Sequence, residues 1–246
     1  MINLKNYIIE SIFDIEDNID NMDESIKDQI KQFLNNNFKN ASKCKISEKP
    51  NTDGKFEVSS NGDVEVKNKS ITSLTNGLFI WTNIKGNFNC YDCNSLISLK
   101  GAPKEVGGRF VCYNCKSLSS LEGAPEKVGR NFICNNCKSL TSLEGAPEKV
   151  GGTFSCMSCS TLISLEGAPK EVGGDFYYHY CKSLKSLKGS PEKVDGDFSC
   201  NNCNSLISLE GAPKEVRHNF ICINGGKTFY EEDVKKVSNV KGIIKV

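Results

Sequence analysis

Cysteines are the side chains of this chain that are best suited to chemistry, with 13 among 246 residues. Ten of them form pairs separated by two residues: Cys90/Cys93, Cys112/Cys115, Cys134/Cys137, Cys156/Cys159 and Cys200/Cys203. The first four pairs follow one another with 18 residues between them, a spacing typical of zinc sites with four thiolate ligands. One interpretation is therefore a zinc site with Cys90, Cys93, Cys112 and Cys115 as its first ligands.

The same cysteines also fit an interpretation in which they are small buried apolar side chains. A site of four thiolates would use two repeats, yet no doubled period is visible, and Tyr178 stands where the partner of Cys181 is expected. An odd number of cysteines fits a complete disulfide framework poorly. We therefore expect a cysteine ladder of free thiols and no cofactor, with zinc as the alternative.

Catalytic groups are scarce, because the chain contains only two histidines, His179 and His218. A nucleophile pair of His179 with Cys181 is conceivable, but we expect Cys181 to point into the core. The Gly-Gly pairs recur without a following Lys-Ser or Lys-Thr, which indicates turns and not a phosphate-binding loop. The sequence predicts no enzyme.

The elements that would position these residues follow from a fixed period of 22 residues. Seven phenylalanines keep this step without interruption: Phe88, Phe110, Phe132, Phe154, Phe176, Phe198 and Phe220. A valine column and a proline column keep it as well. Such a period is typical of a solenoid, in which each repeat buries its apolar residues only by stacking on its neighbours.

One repeat shows how the chain should fold. Phe154 and Cys156 alternate as one face of a short strand, Leu162 and Leu165 point back inward, and Val172 returns to the core before a Gly-Gly turn. Stacked repeats should place like residues above one another. We expect one mostly parallel sheet of seven strands, roughly 30 Å long at about 4.8 Å per strand.

The domain boundaries follow from the repeat and its flanks. We expect a helical segment over 1–42, with two apolar stripes separated at Asn21, and a hairpin cap with a degenerate first repeat over 43–87. The hairpin should turn at Asn61-Gly62. The solenoid should span 88–226. A C-terminal cap over 227–246 should hold a helix that begins with a capping box at Thr228 and a final strand. The fold class is thus α+β, a parallel β-solenoid with capped ends.

The repeat also carries a resemblance. The frame F-x-C-x-x-C-x-S-L-x-S-L-x-G-A-P-x-x-V-G-G, seen over 132–152, is similar to leucine-rich repeats, especially the BspA-like class, although cysteine stands where asparagine usually turns the strand. The G-A-P-x-x-V-G-G-x-F register, with the lead-in at 70–77, resembles uncharacterised repeat proteins of tailed bacteriophages. The resemblance implies a leucine-rich-repeat-type solenoid in the virion or in the host-cell cytoplasm. It implies no particular activity.

The N-terminus allows two interpretations. Ile8-Ile9-Glu10-Ser11 resembles the sites at which phage maturation proteases cut, after a glutamate that precedes a small residue. The stripe formed by Leu4, Tyr7, Ile8, Ile12 and Ile15 favours an amphipathic helix that caps the solenoid.

Overall composition argues against several classes of partner. The 31 Lys and Arg residues nearly balance 30 Asp and Glu residues, so a strong basic field for nucleic acid is absent. No apolar run approaches the ~20 residues of a membrane span. Glu10, Asp14, Glu16 and Asp17 do not suit a secretory signal.

The predicted outer face of the strands is the best candidate for binding. Its columns vary between repeats, whereas the core columns barely vary. Aromatic and aliphatic residues are frequent there, as at the centres of protein interfaces. The predicted partner-binding residues are Tyr91, Val111, Tyr113, Ile133, Met157, Tyr177, His179 and Tyr180. We expect a protein partner, although tyrosine and asparagine would also suit a glycan. The alternative is an unused surface whose residue types simply suit strands.

Overall fold

The computed structural model describes residues 4–223 and 225–246, with side chains from residue 18 onward. The chain forms a parallel β-solenoid of about nine coils, each of roughly 22 residues. Asn224 lies outside the described residues. The side chains of the predicted N-terminal stripe and of the cleavage motif at Glu10 lie outside the described side chains.

Two sheets run along the solenoid, and each has ten strands. Sheet A contains, in spatial order, β1 Phe38–Lys39, β4 Val64–Val66, β6 Phe88–Asn89, β8 Phe110–Val111, β10 Phe132–Ile133, β12 Phe154–Ser155, β14 Phe176–Tyr177, β16 Phe198–Ser199, β18 Phe220–Ile221 and β20 Ile244–Lys245. Sheet B contains β2 Cys44–Ile46, β3 Phe56–Ser60, β5 Phe79–Ile84, β7 Glu105–Val106, β9 Lys127–Val128, β11 Lys149–Val150, β13 Glu171–Val172, β15 Lys193–Val194, β17 Glu215–Val216 and β19 Asn239–Val240.

The second sheet corrects the expectation of a single one. The valine column was expected only to return to the core, but Val150 pairs with Val128 on one side and Val172 on the other in a parallel ladder of its own. The physical reason is the turn that follows each valine, which is Gly-Gly after Val106, Val150 and Val172 and has other residues in the remaining coils. It changes the chain direction between the valine and the phenylalanine, so that the residues before and after it belong to different sheets.

The core consists of stacked columns of identical residues. Phenylalanine, leucine and valine side chains of each coil are buried. From Phe88 to Phe198 the phenylalanine rings stack with centroids 5.2–5.9 Å apart and interplanar angles of 4–18°. Neighbouring coils thus bury each other's aromatic surface, which no coil could do alone.

Glycine is frequent at the turn between the two sheets, where the backbones of successive coils approach closely, although Lys85, Asp195 and Arg217 stand in the same column in other coils. A Cβ atom on Gly129 would lie 2.3 Å from the carbonyl oxygen of Gly107. Where the residue before a phenylalanine is asparagine or aspartate, its side chain adds a contact between coils. Asp175 Oδ1 accepts a hydrogen bond from the Asp197 N–H at 2.8 Å, and Asp197 Oδ1 accepts one from the Asn219 N–H at 2.9 Å. These bonds hold the turns of adjacent coils in register.

The N-terminal end is closed by a helix and two antiparallel strands. Helix α1 spans Leu4–Asn37 without interruption, so the expected separation at Asn21 is wrong. Its last turns bury Ile30 and Leu34. After it, β1 pairs antiparallel with β4, and β2 pairs antiparallel with β3 beyond the 3₁₀ turn Ala41–Lys43. These strands cover both sheet edges, which would otherwise expose unpaired backbone groups.

The hairpin predicted around Asn61-Gly62 is not formed. Instead β3 lies in sheet B and β4 lies in sheet A, so the Asn-Gly pair is the turn of a first coil. Each strand finds a parallel neighbour in the next coil, with Phe56 opposite Phe79 and Val64 opposite Phe88. Stacking on the solenoid outcompetes the local turn preference, because it buries the apolar residues of both strands.

The C-terminal end completes a last coil. Helix α2 spans Glu231–Lys235, shorter than the expected extent to Val237, and β19 and β20 then extend the two sheets in parallel. The residue that caps the helix is Tyr230 and not Thr228, since the Tyr230 N–H donates to Asp233 Oδ2 at 3.1 Å. Over the described residues, no helix has the length and apolar character needed to cross a bilayer.

Candidate functional site

The outward side chains of sheet A form the strand face, which we define as the residue after each phenylalanine and the residue two positions further on. Phenylalanine and the first cysteine of each coil point inward, so alternation along the strand sends the residue after each of them outward. Of the eight predicted binding residues, Tyr113 is 46% exposed and Tyr180 is 50% exposed, while the other six are partly exposed.

The first column of the strand face brings two predicted residues together and isolates a third. Val111 and Ile133 are register partners on adjacent strands. The next partner is Ser155, which separates Ile133 from Tyr177, and Ser199 follows Tyr177. Both serines are buried, at 4% and 2% exposure. Tyr177 therefore stands between two small residues, and its ring rises above them.

The second column is divided in the middle by an asparagine. Asn135 Oδ1 accepts hydrogen bonds from Ser155 Oγ at 2.7 Å and from the Met157 N–H at 2.8 Å. A polar, internally bonded residue thus separates Tyr91 and Tyr113 from Met157 and His179. The predicted stripe is two patches, one over the early coils and one over the coils that begin at Phe154 and Phe176.

Tyr91, at the start of the early patch, is held by the first coil. Its hydroxyl donates to the Glu65 carboxylate, and Lys69 Nζ lies 3.9 Å from its ring centroid. The same ammonium donates to the backbone carbonyls of Val66 and Tyr91. The cation already occupies one face of this ring, which leaves Tyr113 as the more accessible tyrosine of the patch.

The later patch is organised around His179. Its ring centroid lies 5.4 Å from that of Tyr177, and its Nε2 shares a hydrogen bond of 2.7 Å with Ser199 Oγ. Burial lowers the pKa of His179, which favours the neutral imidazole near pH 7. The imidazole therefore covers Ser199 and holds it beneath the surface.

Tyr180 occupies a turn at the edge of the strand face. Its φ is +60°, and the same left-handed conformation recurs at Asp92, Asn114, Asn136, Ser158 and Asn202. Aspartate and asparagine tolerate this conformation, and their side chains link the coils, as where Asn136 Nδ2 donates to Asn114 Oδ1 at 2.5 Å. A tyrosine gains no such local bond and is sterically strained there.

The cysteines lie inside the solenoid, at 0–2% exposure except for the half-buried Cys44. None is in a disulfide. The second thiol of a pair donates to the carbonyl oxygen of the first-cysteine column in the preceding coil, at 3.0 Å for Cys115 to Cys90 and 3.2 Å for Cys137 to Cys112. Burial raises the pKa of Cys112, Cys159 and Cys200 well above its ordinary value. Buried, protonated and hydrogen-bonded thiols are poor nucleophiles.

The histidine and cysteine pair considered from the sequence is divided between two sides of the strand. His179 lies on the strand face, whereas the Cys181 thiol is buried and donates to the Cys156 carbonyl oxygen at 3.3 Å. Among the described residues, no three or more His, Cys, Asp or Glu side chains are placed to hold a metal ion.

Sequence reasoning missed the residues that flank Tyr177. Asp175 and Asp197 precede the phenylalanines of consecutive coils, and the buried Ser155 and Ser199 lie on either side of the ring. The sequence could have indicated these carboxylates, because the column before phenylalanine holds aspartate in two consecutive coils only at Asp175 and Asp197. The chain matches no protein-family model, no curated protein and no solved structure, so the strand face itself carries the functional argument.

Proposed function

We propose that this chain is a non-enzymatic scaffold that binds a partner protein through the strand face. The observation that carries the proposal is the contrast between two faces of the same strands. Inward columns repeat the same residue types from coil to coil, while the outward columns range from buried serines to partly exposed valine, isoleucine and tyrosine. Solenoids commonly bind partners on such an extended face, and aromatic residues are favoured at interface centres.

A non-enzymatic role is supported by the state of the candidate nucleophiles. Ser199 is within hydrogen-bond distance of a histidine, as a catalytic serine would be, but it is 2% exposed and lies under that histidine. The thiols that could act instead are inside the core. A substrate would have to displace His179 or open the solenoid to reach either group.

The kinship with leucine-rich repeats, and with the repeat proteins of tailed bacteriophages, belongs to the same proposal. Two buried leucines in each coil support it, as does the turn that follows them at Gly-Ala-Pro. On this proposal the protein acts in the host-cell cytoplasm or in the virion. The buried columns of free thiols serve packing, and zinc is the alternative that a metal assay of reductively purified protein decides.

The test of binding is a change of Tyr113, Met157 and Tyr177 to alanine in one variant. The partner is the protein that the wild-type chain enriches in a pull-down from infected cells. We expect the variant to lose this capture and to keep an unfolding midpoint in urea near that of the wild type. The matched control is the alanine triple variant of Ile97, Ile163 and Ile207, which are 57–62% exposed on another surface of the solenoid. Retained capture by the strand-face variant, or loss of capture by the control, would contradict the proposal.

A further inference from the structure

The coil that begins at Phe176 departs from the other coils in several columns at once. Tyr177, Tyr178, His179 and Tyr180 are four consecutive aromatic residues, a run that no other coil contains, and Tyr178 and Tyr180 replace a cysteine and a small polar residue. Tyr180 keeps a left-handed conformation that its bulk disfavours. Strain that persists in a regular fold often marks a functional site, and here it coincides with the later patch of the strand face.

Two carboxylates lie beside this patch. Asp175 is two residues before Tyr177 and shares its side of the strand, and Asp197 occupies the same position in the next coil. Each uses Oδ1 to accept a backbone N–H from the following coil. Asp175 Oδ2 also accepts a hydrogen bond from Thr153 Oγ1 at 3.4 Å, and Asp197 Oδ1 accepts a second one from Asn219 Nδ2 at 2.9 Å. Among the described residues, the ion pairs of this stretch involve the neighbouring Asp195, which contacts Lys193 and Arg217, and none involves Asp175 or Asp197.

The aromatic groups of the patch are uncharged. Burial and the carboxylates of Asp175 and Asp197 raise the pKa of Tyr177 to about 12, so its phenol stays protonated. The lowered pKa of His179 keeps the imidazole neutral. The patch therefore carries the negative charge of two aspartates next to an aromatic face, without a cation to balance it.

We propose that Asp175, Tyr177, His179 and Asp197 form a recess for an arginine side chain of the partner protein, an inference that rests on the proposed function of the strand face. A guanidinium is planar and stacks on aromatic rings, and it remains charged while doing so. Its fork of N–H donors also matches two carboxylates on adjacent strands, which are spaced about 4.8 Å apart. A lysine ammonium offers neither the stacking plane nor the fork.

The two histidines make a direct experiment possible. Protein labelled with carbon-13 at histidine is titrated with the capped tripeptide Ac-Gly-Arg-Gly-NH₂ and, in parallel, with its lysine and glutamine counterparts. His179 lies in the recess, and His218 lies two coils away as an internal reference. We expect the arginine peptide to shift the His179 resonance with saturation at tens of millimolar, while His218 stays in place and the glutamine peptide has no effect.

Variants test the contribution of the carboxylates. The double change Asp175→Asn and Asp197→Asn keeps the Oδ1 acceptors, and asparagine occurs naturally in this column at Asn87, Asn131 and Asn219. We expect this double change to lower the affinity for the arginine peptide by about tenfold or more. The matched control is Asp63→Asn, which makes the same change in the same column at the first coil. It should leave the affinity unchanged.

Three results would overturn the inference. They are an unshifted His179 at tens of millimolar arginine peptide, an equal shift with the glutamine peptide, or saturation by a neutral disaccharide in place of the arginine peptide. The capture assay with the strand-face triple variant distinguishes failure of the arginine recess from failure of the proposed scaffold function. If the strand-face triple variant still abolishes capture while the arginine peptide fails, the scaffold proposal stands and the arginine recess does not.

Discussion

Sheet A has an inner and an outer face made by alternate residues of the same strands, and the two faces differ in how much they vary. Inside, phenylalanine stacks on phenylalanine and the cysteine columns are interrupted once, at Tyr178. Outside, the column after phenylalanine contains asparagine, valine, isoleucine, serine and tyrosine. The backbone repeats throughout, with the left-handed turn at φ 58–61° in six consecutive coils.

This comparison indicates that the inner face and the turns determine the backbone, while the outer face is free to differ. An outer side chain contacts solvent and its neighbours in register, so its replacement leaves the stacked core intact. A single coil can therefore acquire a binding recess without altering the geometry of the others. The coil at Phe176 illustrates this freedom, because Tyr177 occupies the backbone position that serine holds in both neighbouring coils.

The largest expected difference between the faces is a loss of stability at alkaline pH. Burial raises the pKa of Cys112, Cys159 and Cys200 in the folded chain, whereas unfolded thiols titrate near about 8.5. Above that pH the unfolded state releases protons that the folded state keeps, so the free energy of unfolding falls as pH rises. For these three thiols we expect a loss of about 4 kcal/mol per pH unit above roughly pH 9. Urea unfolding at pH 7.5 and at pH 10 measures it.

A single variant assigns the effect to the core. Cys159→Ala removes one buried thiol and should reduce the slope above pH 9 by about 1.4 kcal/mol per pH unit. Changing the exposed Ile163 to alanine, which removes no titratable group, should leave the slope unchanged. Equal stability of the wild type at pH 7.5 and pH 10 would mean that the thiols are not buried in protonated form.

The next largest effect concerns the phenylalanine column. Phe154→Ala removes a ring that stacks on Phe132 at 5.2 Å and on Phe176 at 5.3 Å, and it leaves a cavity between three coils. We expect a loss of about 3–5 kcal/mol in the free energy of unfolding, measured in urea. Ile163→Ala is the outer counterpart, because Ile163 is 62% exposed, and its effect should stay within about 0.5 kcal/mol. Similar losses in both variants would remove the distinction between the faces.

Two glycines at the turns allow a further test of coil packing. They share a left-handed backbone conformation, but only one of them lies against the preceding coil. Gly167 has φ +87°, and a Cβ on it would lie 2.4 Å from Glu144 Cα of the preceding coil. Gly77 has φ +86°, and such an atom would meet nothing within 4 Å among the described residues. Alanine at Gly77 should cost about 1–2 kcal/mol for the backbone alone.

Alanine at Gly167 should cost about 2 kcal/mol more than alanine at Gly77, because the turns of two coils must move apart. Thermal unfolding of the two variants side by side measures the difference. Equal midpoints would show that the coils tolerate a wider spacing at this turn, and that the close approach is not what requires glycine.

The smallest expected effect concerns Tyr178, which interrupts the cysteine column of the core. Tyr178 is fully buried between Phe176 and Phe198, and its hydroxyl has no hydrogen-bond partner among the described residues. Tyr178→Phe should therefore leave stability unchanged or raise it by about 1 kcal/mol. A loss larger than about 1 kcal/mol in urea unfolding would mean that the hydroxyl has a stabilising partner in solution.

Periodicity predicted the solenoid and its 22-residue coil because side chains that stack must recur at the step of the coil. It did not predict sheet B, since a two-residue strand such as Glu171–Val172 shows no alternation of its own. The closing strands β1 and β2 were also missed, because their pairing joins residues far apart in the sequence. At the candidate site, alternation indicated which residues face outward. The covering of Ser199 by His179 depends on contacts between coils, which one repeat does not reveal.

The identical register from coil to coil has a consequence for how this chain can change in length. Phe132 pairs with Phe110 and with Phe154 in the same way, so removal of residues 132–153 would join equivalent backbone positions. Deletion of a number of residues that is not a multiple of 22 would shift the core columns out of register with those of the neighbouring coils. The molecule can therefore grow or shrink only by whole coils, in steps of about 4.8 Å. Recombination between repeats would therefore insert or delete whole coils. It would change the position of a binding site along the strand face and leave the geometry of that site unchanged.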